Sequence, residues 1–63
     1  MTRYIIQSKL TLLYVKEFDN GSLKMTSNQA EAFRYYYLDF ARLELYKNEL
    51  DTRLYDLIPF KGV

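Results

Sequence analysis

Four residues, Asp19-Asn20-Gly21-Ser22, constrain this chain more than any others. Asn-Gly favours a two-residue type I′ turn, because both central positions need positive φ and these residue types tolerate it best. A hairpin centred there fixes a register. It sets Phe18 opposite Leu23, Glu17 opposite Lys24, Lys16 opposite Met25 and Val15 opposite Thr26. One apolar pair and one opposite-charge pair then fall on alternating faces, as cross-strand neighbours prefer. Strict alternation puts Leu12, Tyr14, Phe18, Leu23 and Met25 on the face to be buried.

Upstream, Tyr4, Ile6, Leu10 and Leu12 keep the same parity, with Ser8 as the weak point. Arg3 to Phe18 is longer than an ordinary strand of about 5–6 residues. Two strands turning near Ser8-Lys9 fit better than one bent strand. A helix competes, since Ile6, Leu10, Leu13 and Glu17 also have helical spacing. The β-branched and aromatic content favours strand.

From Thr26 the character changes. Ser27 or Asn28 can cap a helix, and Asn28 with Glu31 has the spacing of a capping box. Residues 28–50 contain no glycine or proline. Acid precedes base at Glu31/Arg34, Asp39/Arg42, Glu44/Lys47 and Glu49/Arg53, a helical signature even though each pair contributes only about 0.2–0.5 kcal/mol. On a helical wheel Ala30, Phe33, Tyr36, Tyr37, Phe40, Ala41 and Leu43 share one side. Glu31, Arg34, Tyr35, Leu38, Asp39 and Arg42 share the other. The expectation is one long helix over 28–50. Residues 51–63 could continue the helix, form a short helix capped by Asp51, or add an edge strand, and Pro59 ends any helix near Leu57 or Ile58. The fold class expected is α+β: an N-terminal antiparallel hairpin or three-stranded sheet over 3–26, packed on one long helix. Residues 1–63 form a single small domain with a C-terminal appendage.

Composition excludes several functions. The chain has no cysteine and no histidine, so it carries no disulfide framework, no thiolate metal site and no imidazole base. Its two glycines cannot build a phosphate-cradling loop. A hydroxyl of Ser8, Ser22 or Ser27 would need a base that only Lys or a carboxylate could supply. The reading is therefore non-enzymatic, with no cofactor, no metal and no small-molecule substrate. No run approaches the roughly 20 apolar residues of a membrane span. The N-terminal residues reach Gln7 and Lys9 too soon for a signal-peptide core, so a cytoplasmic location is expected. A chain of this size buries only about 60% of its unfolded surface. With disulfides and metals closed to it, association with another protein is the remaining way to complete a core.

The seven tyrosines give that idea residues. On a helix, Tyr35, Tyr36 and Tyr37 point about 100° apart, so no single core takes all three. One reading buries Tyr36 and Tyr37 and leaves Tyr35 exposed. The other groups Tyr35 with Leu38 and Tyr46 as a second apolar stripe for binding. Of the 22 residues from Gln29 to Leu50, 13 are apolar or aromatic, more than one sheet face can cover. Tyr35, Tyr37, Leu38, Phe40 and Tyr46 are the candidate partner-binding residues. A homodimer is the expected assembly, two-fold dimers being the commonest. The runner-up is a nucleic-acid-binding regulator using Arg3, Lys9, Lys16 and Lys24, against which a formal charge of +1 argues. A third reading is a structural subunit of a larger assembly.

Tyr4-Ile5-Ile6, Tyr14-Val15-Lys16-Glu17-Phe18, Leu23-Lys24-Met25-Thr26 and Ala32-Phe33-Arg34-Tyr35, with Ala41 further on, form a recurring kind of pattern. In it the chain resembles small uncharacterised proteins encoded by phages and prophages of Gram-positive bacteria. The resemblance covers about two-thirds of the chain and implies a three- or four-stranded sheet, one helix and a break near Tyr35–Leu38. It also implies an accessory protein, acting in the host cytoplasm, that modulates or inhibits a host protein, such as one of its defences.

Overall fold

The computed structural model describes residues 2–19 and 21–61. Strands β1 (Arg3–Ser8), β2 (Tyr14–Asp19), β3 (Ser22–Thr26) and β4 (Tyr55–Phe60) form one antiparallel sheet in the order β3-β2-β1-β4, and helix α1 (Leu38–Lys47) packs on one face. The α+β class is as expected, with two differences. The sheet has a fourth strand, and the helix is less than half the length that the periodicity suggested.

The hairpin closes where the turn signal put it. Asp19 pairs with Ser22, Phe18 with Leu23 and Glu17 with Lys24. Gly21 takes φ +80°, which only glycine adopts without strain. Asn20 lies outside the described residues. Beyond Glu17 the expected register fails. A bulge at Lys16 makes Val15 pair with Met25 and Tyr14 with Thr26. The extra residue reverses the parity of β2, so Val15 is fully buried and Tyr14 moves to the opposite face. Leu10 and Leu12 leave the buried face as well, because they lie in the exposed turn that joins β1 to β2.

That turn begins at Ser8, as the strand-length argument required. The Ser8 hydroxyl accepts from the backbone N–H of Leu10 at 3.2 Å and of Thr11 at 3.3 Å. The Ser8 N–H donates to the Leu13 carbonyl at 2.8 Å. The residue that looked weak for a strand is the one that closes the loop.

The long helix over 28–50 is not formed. The Asn28 side chain does cap, accepting from the Ala30 N–H at 3.0 Å, but it opens only a single 3-10 turn, Gln29–Glu31. The chain then runs irregular and largely extended from Ala32 to Tyr37 before α1 begins. Its backbone finds strand-like partners. Phe33 N–H donates to the Val15 carbonyl at 3.0 Å, and Tyr4 and Tyr35 exchange both N–H to carbonyl bonds at 2.8 Å. The segment is thus wedged between β2 and β1, whose only described register pair is Gln7 with Tyr14. Two ladders on offer outweigh helix propensity where three tyrosines, a strand-favouring type, are consecutive.

The C-terminal residues are no appendage. β4 pairs with β1 at six positions, from Arg3 with Phe60 to Ser8 with Tyr55. Pro59 is accommodated on this edge strand because its ladder partner Tyr4 makes its backbone bonds to Tyr35 instead, so no N–H is needed there. Asp51 caps a short 3-10 turn, Thr52–Leu54, that leads into it. The core lies between sheet and helix: Ile6, Val15, Tyr35, Ala41 and Leu45, with Tyr4, Phe18, Leu23, Met25, Leu50, Tyr55 and Leu57 packed around them. No helix among the described residues is long and apolar enough to cross a membrane.

Candidate protein-binding surface

Helix α1 turns Ala41 and Leu45 fully inward onto the sheet. At 100° per residue, the opposite side is then centred on Leu43 and reaches to Phe40 and Tyr46. All three are exposed, at 55% for Phe40, 61% for Leu43 and 80% for Tyr46. Tyr37 precedes the first turn with extended φ and ψ, and its carbonyl accepts from the Phe40 N–H at 3.1 Å. Its exposed ring meets Phe40 edge-on at 5.2 Å between centroids. The result is a line of apolar groups at three-residue spacing, Tyr37-Phe40-Leu43-Tyr46, running along the outside of the helix. Tyr36 and Phe33 are exposed nearby in sequence.

The candidate residues divide accordingly. Tyr37, Phe40 and Tyr46 lie together on this surface. Leu38 is half-buried on the helix side nearer the sheet. Tyr35 is a correction: it is buried in the core, not exposed. In an extended segment the repeat is two residues, so Tyr35 follows Tyr4 onto the core face, while Tyr36 turns to the other side. The Tyr36 ring there lies under the Arg3 guanidinium at 3.9 Å. Burial raises the Tyr35 phenol well above its ordinary pKa, and the nearby Glu44 carboxylate raises it further. The helical wheel put Leu43 on the same broad side as Ala41, at its opposite edge. With the buried direction fixed by Ala41 and Leu45, Leu43, about 200° from Ala41, faces outward.

Charges border the line. Asp39 holds Arg42 at 3.5 Å on the exposed surface. Beside Tyr46 a hollow of about 290 Å3 opens between α1 and β4, lined by Arg42, Leu45, Tyr46, Thr52, Tyr55 and Leu57. Among the described residues, no three acidic side chains gather as a metal site would require.

The basic residues do not form one surface. Lys9 pairs with Asp56 at 3.6 Å, and Lys24 with Glu17 at 3.5 Å and Asp19 at 3.6 Å. Arg3 stands at one end of β1 and Lys9 just beyond the other, the strand between them spanning about 17 Å. Lys16 projects from the bulge. Neutralised and dispersed cations give a poor electrostatic footprint for a phosphate backbone. No family model matches the chain, and neither a curated protein nor a solved structure matches it.

Proposed function

We propose that this chain is a non-enzymatic protein-binding module, of the kind a phage uses to modulate or inhibit a host protein. The observation that carries the reading is the outward apolar line on α1. Four large side chains, three of them aromatic, are held on a rigid element and left exposed by the described residues. A monomer gains nothing by leaving such a line in water, whereas Tyr and other large rings in a row are what interface hot spots are made of. The phage-type pattern in the strands supports the biological setting, and the class of target follows from it.

The test uses the full chain immobilised and exposed to lysate of a Gram-positive host. The captured protein is then purified and its affinity measured by calorimetry. Leu43→Asp sets a charge at the centre of the line, where it makes no core contact, and should weaken binding by at least about tenfold, the scale of one hot-spot residue. Lys16→Glu, at the bulge away from α1, should leave affinity unchanged. Equal binding by the Leu43 variant, or loss only in the Lys16 variant, overturns the reading. Assay of the captured protein with and without the chain then tells inhibition from activation.

A further inference from the structure

The outer side of α1 reads alike from both ends once charge is reversed. About Leu43, Asp39 and Lys47 stand four residues away on either side, and Phe40 and Tyr46 three. Turned at 100° per residue, Asp39 and Lys47 each lie about 40° from Leu43, and Phe40 and Tyr46 about 60°. These five residues make up the outward half of the helix. Such a face is complementary to its own copy under a two-fold axis, and that arrangement sets the helices antiparallel.

We propose that a second copy of this chain docks on this face, α1 against α1, antiparallel about Leu43. The inference rests on the protein-binding reading of this same face. With the i, i+4 rows through Asp39, Leu43 and Lys47 aligned at a crossing of about 50°, Leu43 meets Leu43 and Asp39 meets Lys47 at both ends, while Phe40 and Tyr46 flank the contact on either side. A parallel pair would instead set Asp39 against Asp39 and Lys47 against Lys47. Lys47 makes no ion pair among the described residues, and Asp39 holds only Arg42, in the open, so both charges are available. Opposed macrodipoles favour the same orientation. A ten-residue helix is about 15 Å long. It covers less than the roughly 800 Å2 per partner of a standard interface, so the dimer is weak, with a dissociation constant on the order of 0.1 mM. A tighter partner would displace it.

Charge exchange tests the geometry. Asp39→Lys makes both flanks basic and Lys47→Asp makes both acidic, so each variant repels its own copy and attracts the other. Sedimentation equilibrium of the full chain, from about 10 µM to about 1 mM at low salt, should show the mass rising from 7.6 kDa toward twice that value. Each variant alone should associate about tenfold more weakly, since two ion pairs turn repulsive. Their equimolar mixture should recover association, which variants that merely misfold would not do. The inference is overturned if the wild-type chain stays monomeric throughout, if the single variants associate like the wild type, or if the mixture gains nothing. A monomer that still captures a host protein through Leu43 overturns the dimer while the protein-binding reading stands.

Discussion

Glu49 occupies a position built for glycine. It follows the C-cap Asn48 of α1 with φ +59°, in the left-handed region. The bonds around it are those of a Schellman ending: Glu49 N–H donates to the Tyr46 carbonyl at 3.1 Å and Leu50 N–H to the Leu45 carbonyl at 2.9 Å. Leu50 then folds back onto the core that contains Leu45. A Cβ in that conformation costs about 1–2 kcal/mol, part of which glycine returns as entropy of the unfolded chain. Glu49→Gly should therefore stabilise the fold by about 0.5–1 kcal/mol, read as a higher urea midpoint at unchanged slope. Tyr35 gives a pH prediction of definite sign. Its phenol has a folded pKa raised by burial, so the folded state holds the proton longer than the unfolded state does. Below about pH 10 the group makes no difference to stability, and above it stability declines up through the folded pKa. Tyr35→Phe should flatten that alkaline decline in urea titrations, and an identical decline in the variant would remove Tyr35 as its source.

At the scale of elements, the hairpin and the strand-turn-strand start were legible because their signals are local. A turn dipeptide and an alternating face need only neighbours in sequence. The bulge at Lys16 was not, since nothing in Val15-Lys16-Glu17 differs from a regular strand until the core asks for Val15. The helix is shorter than its periodicity for a related reason. Glu31/Arg34 has ideal helical spacing, yet Glu31 accepts from the Thr26 hydroxyl and Arg34 donates to the Ala30 carbonyl. Among the described residues only Asp39/Arg42, inside α1, forms as an ion pair of that helical spacing. Periodicity sees side chains, while the bonds that straighten 32–37 come from the backbones of β1 and β2, which are distant in sequence. Of the proposed binding residues, Phe40 and Tyr46 inside α1 and Tyr37 at its cap are exposed, whereas Tyr35, further out in the extended segment, is not. Phe33→Pro tests the wedge directly. It removes the N–H that reaches Val15 and should cost at least about 1 kcal/mol by urea denaturation. Phe33→Ala, which keeps that N–H and alters an exposed side chain, should cost less.

As a whole molecule the protein works with little margin. At about 0.05–0.15 kcal/mol per residue, a chain of 63 residues has roughly 3–9 kcal/mol of stability. Leu45 is among the few large side chains fully out of water, with Ile5, Ile6 and Val15. Leu45→Ala should cost about 2–5 kcal/mol and leave much of the protein unfolded at 37 °C, visible as lost helical and near-ultraviolet dichroism. Leu43→Ala, on the same helix but facing outward, should shift the same signal little. That contrast separates residues that hold the fold from residues the fold displays.

The wedged segment also dictates an order of assembly. The β2–β3 hairpin needs only its own turn and can close within microseconds. β1 cannot settle beside it in the same way, because the neighbours of Tyr4 are Tyr35 on one side and Pro59 on the other. Of the four strands, the one earliest in the sequence is therefore the last to be fully paired. During synthesis it waits, with Ile5 and Ile6 incompletely covered, until β4 has emerged. Exposure to chaperones and proteases during synthesis falls on that strand.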